Sequence, residues 1–241
     1  MKPCATSARW RINPGANKMD INRKRWNEQQ KLLQETLLRG NDHTRAVELF
    51  LAQHAATHPA EMSGSGDWSF ADEVLSGLDE AAQRRIPPGG EHSIAWILWH
   101  LARIEDVTMN LLVAGSPQVF HGAGWRERLG AGLEHTGNAM GVDSVHALSE
   151  NVSIEALYAY RLAVGRRTRE IAQTVEPGSL KKKVDPTRLE TIREQNAVLP
   201  EAGEIIAYWG GRTLAGLLLM PPTRHNFLHL NEALRIRQKI R

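Results

Sequence analysis

"SIAWILWHLARIEDVTMNLLVA", residues 93–114, decides the fold. Ser93 is a helix-capping residue, and the residues after it predict one long helix to about Ala114. Positions 96, 100, 103, 104 and 107 share one face of that helix, which turns His100 inward beside Trp96 and Trp99. The simplest reading of such a histidine is a core residue whose ring nitrogens have found partners, because polar groups are buried only when satisfied. Glu105 and Asp106 are expected to face solvent or to pair with arginines.

Working outward, helix-favouring sequence runs from Ile21 to Leu38, with Trp26, Leu33 and Leu37 on one side, and Gly40 stops it. Asn41 or Asp42 can cap a second helix over about 43–58, where Val47, Phe50, Leu51 and His54 recur at helical spacing. Residues 59–69 read as loop, and 70–82 as a short helix. The glycine-rich stretch 115–141 separates the long helix from another at 154–174, and the charged, proline-bounded segment 177–200 reads as partly helical. The last helix spans about Thr223 to Lys239, with proline just ahead of its start. No internal repeat and no strand pattern is present. The chain therefore reads as all-α, built on a bundle of about four long helices with extra short helices and loops. Residues 1–19 read as a disordered arm and 20–241 as a single helical domain.

Of the 241 residues 41% are hydrophobic and 24% charged, which suits one soluble domain. The longest apolar runs, such as "LAGLLLM" at 214–220, are too short to cross a bilayer, so no membrane partner is expected. No charged segment followed by an apolar one opens the chain, so no secretory signal is expected. Cys4 is the only cysteine, which excludes a disulfide within the chain and points to the cytoplasm. Basic groups at 23–25, 166–169 and 181–183 are interleaved with 27 acidic residues and read as solvated helix faces rather than a nucleic-acid surface.

The last helix opens "RHNFLHLNEALRIR", residues 224–237. His225 and His229 stand four apart, so two imidazoles share one helix face a turn apart and can converge on one ion. With His100 from a second inward-facing helix they make a three-histidine set with one position open, the arrangement of catalytic rather than structural zinc. Glu232, three residues past His229, is a candidate general base or an acceptor that orients an imidazole; a surface carboxylate pairing with Arg235 or Arg224 is the alternative.

"HSIAWILWHLARIED", followed far downstream by "HNFLHLNEA", resembles the DinB-like superfamily of metal-dependent four-helix-bundle proteins over roughly residues 43–240. The resemblance implies an up-down-down-up bundle with a divalent metal at one end, held here by His100, His225 and His229. It also implies thiol-dependent transferases as relatives, using small thiols such as bacillithiol or mycothiol. Members often carry a second histidine soon after the first ligand, where this chain has Arg103.

Three neutral imidazoles leave a bound ion its full charge, which favours an anionic fourth ligand, either hydroxide from a water of lowered pKa or a thiolate. Arg103, one turn from His100, is a candidate for binding an anionic substrate or thiol cofactor, with a salt bridge at the bundle end as the alternative. His92 is a reserve ligand, His54 can border the site, and His121, His135 and His146, in loop-rich sequence, are given no role. The reading is thus a divalent-metal protein (zinc or nickel, with iron allowed) acting as a thiol-dependent S-transferase or a hydrolase. A non-catalytic metal-binding or stress-response protein is the alternative. The expected partners are a small-molecule substrate or low-molecular-weight thiol and a second copy in a homodimer.

Overall fold

The segment from Ser93 to Val113 is buried at every residue, not along one face. This is the central finding of a computed structural model that describes residues 18–240. The arm expected at 1–19 lies outside those residues except at its end, where a helix begins at Lys18. Five longer helices organise the described residues: α1 (Lys18–Arg39), α2 (His43–Ala55), α3 (Ile94–Asp106), α4 (Ile154–Thr174) and α5 (Asn226–Ile240). Every regular element among the described residues is helical, and the one β contact is an isolated bridge between Lys183 and Thr213. No helix there is long and apolar enough to cross a membrane.

Local chemistry sets the helix starts. The side chains of Asp42, Ser93 and Ser153 accept the backbone N–H of Arg45, Trp96 and Ala156, each satisfying one of the orphan donors of a first turn. Beyond Asp106, α3 continues in wider π-type turns over Val107–Ala114. A second π-type segment, Met220–His225, leads into α5 and includes Pro221 and Pro222, so the last helical run begins earlier than Thr223. Prolines lack the N–H that a regular α turn needs, and a wider turn absorbs the mismatch. The stretch read as one short helix over 70–82 is two, Phe70–Leu75 and Glu80–Arg84. His146, read as lying in loop, sits on a helix over Val142–Asn151.

α3 packs against α4 and α5, while α1 lies along α2. Trp26 of α1 is fully buried, stacked on Phe227 of α5 with ring centroids 3.8 Å apart, and its indole N–H donates to the Gln53 carbonyl at 3.2 Å. Burying one large apolar side chain contributes on the order of 1.5–3 kcal/mol, and this stack ties α5 to α1. A helix apolar all round is a core helix, and α3 is one. The charged residues of its last turn are consequently inside as well: Arg103, Glu105 and Asp106 are fully buried. Glu105 and Asp106 therefore do not face solvent. Asp106 pairs with Arg103 at 3.2 Å, and Glu105 pairs with histidines.

Candidate metal centre

His100 comes from the middle of α3, His225 closes the π-type turn before α5, and His229 follows one turn along α5. Their rings crowd one another, with centroids 5.0 Å apart for His100 and His225, 4.9 Å for His100 and His229, and 4.6 Å for His225 and His229. One ring nitrogen from each lies within 4.8 Å of the others, and the Nε2 atoms of His100 and His225 are 3.1 Å apart. Two imidazoles on a tetrahedral ion at about 2.0–2.1 Å would be separated by roughly 3.3 Å, so the spacing suits a shared cation.

The other ring nitrogens settle the tautomers. His100 Nδ1 donates to the Thr136 carbonyl at 2.6 Å, and His229 Nδ1 donates to Glu232 Oε2 at 2.8 Å. Each bond places the proton on Nδ1 and leaves the Nε2 lone pair facing its neighbours, the pattern by which outer partners orient metal-bound histidines. His225 Nδ1 is buried and has no such acceptor among the described residues. Trp96 stacks on the His100 ring at 4.8 Å and 11°, fixing its plane. Burial, together with the neighbouring His229, pushes His100 down to about 3. Burial and its two histidine neighbours also hold His225 well below the usual imidazole range. These two imidazoles are neutral at physiological pH. The lone pairs of His100 and His229 converge beside His225 Nε2, and the three ring nitrogens fit a cation.

One side of the cluster reaches water. The side chain of His229 is 23% exposed and that of Glu232 29%, whereas His100 is buried. Glu232 bridges two imidazoles, accepting from His229 and, through its other oxygen, from His92 Nδ1 at 2.9 Å. Burial raises the Glu232 carboxyl, but the hydrogen bonds from His229 and His92 outweigh it and bring it to about 2. His92, the reserve ligand, is thus placed on Glu232 and stacked on Trp96 at 3.7 Å. Arg224, a possible surface partner of Glu232, donates instead to Asn27.

Arg103 is placed elsewhere. Its guanidinium donates to Asp106, to the Tyr160 hydroxyl, to Gln118 and to the Glu134 carbonyl, and it lies 4.1 Å above the Phe120 ring. Those bonds engage all five of its N–H groups, so an anionic ligand would have to displace one.

Sequence reasoning missed two parts of this region. The Thr136 carbonyl belongs to the glycine-rich stretch, which carries no side-chain signal for the contact. The second is a buried group behind the three histidines: His54 Nε2 lies 2.8 Å from Glu105 Oε1 and His58 Nε2 lies 2.9 Å from Oε2. The H-x-x-x-H spacing of His54 and His58 is a signal for it, whereas the sequence leads one to expect Glu105 in solvent or paired with an arginine.

Comparison with known families finds that the family model of the DinB superfamily matches residues 65–220, more than half of the chain. The matched residues include His100, Glu105 and Arg103; His225 and His229 lie just beyond them. No curated protein matches the chain.

Proposed function

The chain belongs to the DinB superfamily, and on that footing we propose that it is a divalent-metal protein whose ion is held by His100, His225 and His229. The observation that carries this reading is the tautomer pattern. The Nδ1 protons of His100 and His229 are committed to acceptors, which frees the Nε2 atoms for an ion. Imidazole ligands suit zinc or nickel, and iron as well. In this reading α2, α3, α4 and α5 are the four members of the DinB-like bundle in its up-down-down-up order.

We further propose that the site is catalytic, acting as a thiol-dependent S-transferase or a hydrolase. Three protein ligands with one side open to water are the mark of a catalytic site, since structural sites close their coordination with a fourth side chain. The bound ion would supply positive charge that lowers the pKa of a water or a small thiol. Glu232, fixed beside His229, would hold that imidazole in its tautomer or take a proton at its carboxylate. The only protein thiol, Cys4, lies outside the described residues, so thiol chemistry would use an external low-molecular-weight thiol. Arg103 has no part in this reading, because its donors are already engaged. In this reading the protein works in the cytoplasm, and light scattering tests for a homodimer.

Elemental analysis of the purified protein tests the core claim. One divalent ion per chain is expected, lost in His100→Ala, and full occupancy in that variant would overturn the assignment. A thermal-shift screen with bacillithiol, mycothiol and glutathione in the presence of metal separates the thiol-dependent enzyme from a non-catalytic metal protein, which would respond to none of them.

A further inference from the structure

Behind the three histidines, three donors converge on one carboxylate. His54 reaches Glu105 Oε1, while His58 and Asn226 share Oε2, the Asn226 Nδ2 donating at 2.8 Å. All four residues are fully buried. The ring nitrogens of His54 and His58 and the Glu105 carboxylate lie within 4.8 Å of one another, a donor set that would suit a second cation.

Two observations speak for hydrogen bonds instead. A ligating histidine passes its other N–H to an acceptor, as His100 and His229 do. Among the described residues His54 Nδ1 and His58 Nδ1 have no partner, so ligation through Nε2 would strand both donors of that pair, whereas the three-histidine centre would strand one, at His225. With the protons on Nε2, both rings donate to Glu105 and only lone pairs remain unpaired. Charge points the same way. Arg161 is buried nearby, bonded through Nη2 to the Thr57 carbonyl, with Nε and Nη1 unpartnered among the described residues. Its cation and the Glu105 anion balance, and a second divalent ion would add two uncompensated charges to a dry interior.

We infer that Glu105 is a positioning residue for the three-histidine centre, locking the first turn of α5 against α3 so that His225 is aimed at the ion. This rests on the metal reading above. Glu105 lies five residues beyond His100 on α3, and its bond partner Asn226 directly follows His225. Among the described residues His225 is the ligand whose Nδ1 has no acceptor of its own, so its aim depends on the backbone that carries it. Asn226 holds that backbone twice, donating to Glu105 and to the Pro222 carbonyl at 3.2 Å within the preceding turn. His54 and His58 hold the carboxylate from behind. The His58 ring is in turn wedged against α4, where a Cβ at Gly165 would stand 2.8 Å from His58 Nδ1.

The test is a titration of cobalt chloride into the metal-free full chain, followed by visible absorption and with folding checked by far-UV circular dichroism. Wild type should bind one cobalt per chain and His100→Ala should lose it. Glu105→Gln should remain folded yet bind cobalt on the order of 10–100-fold more weakly, with displaced visible bands. Asn226→Ala removes the bonds to Glu105 and to the Pro222 carbonyl while leaving the His54 and His58 contacts in place, should do the same, and carries the test if Glu105→Gln does not fold. A variant that binds cobalt with wild-type affinity and spectrum, even at a lower melting temperature, would overturn the positioning role while leaving the metal reading intact. Two cobalt ions per wild-type chain, one of them lost in Glu105→Gln, would overturn it in favour of a second cation site. No cobalt binding by wild type would overturn the metal reading and this inference together.

Discussion

The metal-free protein should lose stability steeply as pH falls below 6.5. Burial holds both His100 and His58 down to about 3, against an ordinary value of 6.5. A histidine whose folded pKa lies below its unfolded value binds its proton more readily in the unfolded chain. Its contribution is thus fully present above 6.5 and is lost as pH falls from there toward 3. Each group contributes a slope of about 1.4 kcal/mol per pH unit within that window, and the two together about 2.7. Both rings are buried, so water screens neither charge. At about pH 5, some 1.5 units into the window, the loss is about 4 kcal/mol, a large part of a total stability of roughly 5–15 kcal/mol. For a chain of this size, that corresponds to a fall in melting temperature of roughly 8–16 °C. Urea unfolding of chelator-treated protein at about pH 7, 6 and 5, followed by far-UV circular dichroism with linear extrapolation, measures the slope. His225, also held down by burial, adds to the slope, and His100→Gln should remove only the His100 share, about 1.4 kcal/mol per pH unit. If stability falls by less than about 1 kcal/mol between pH 7 and 5, these imidazoles are not held neutral by burial and the reasoning fails. Zinc should restore less stability at the lower pH, since protons and metal compete for the same nitrogens.

Glu232→Gln should keep one metal ion per chain while weakening its binding about 10–100-fold, because an amide accepts the His229 and His92 protons far less well than a carboxylate. Unchanged azide and cobalt titrations would return Glu232 to the surface. Arg103→Met should cost on the order of 3–5 kcal/mol by leaving the Asp106 carboxylate buried without its cation, yet leave cobalt affinity unchanged in the folded protein. A selective loss of anion binding in Arg103→Met, without destabilisation, would restore it as a ligand-binding residue.

Much of this protein was determined by its sequence alone, wherever the relevant physics is local. Helical periodicity and the caps at Asp42 and Ser93 located the long helices, and the four-residue spacing of His225 and His229 put both imidazoles on one face of the last of them. The inward turn of His100 followed from its apolar neighbours. Tertiary structure decided what surrounds those residues. Periodicity assigns a helix one buried face, and it cannot say that other segments cover the remaining sides, as they do around α3. That coverage carried Glu105 and Asp106 inside and tied up every donor of Arg103. The orienting contacts lie equally far from local pattern: His100 finds its acceptor 36 residues away, His54 meets Glu105 at a separation of 51, and Asn226 meets it at 121. Hydrogen bonds between groups so distant along the chain exist only because folding has dried the space between them. A buried polar group must then take whichever partner the packed helices bring within reach.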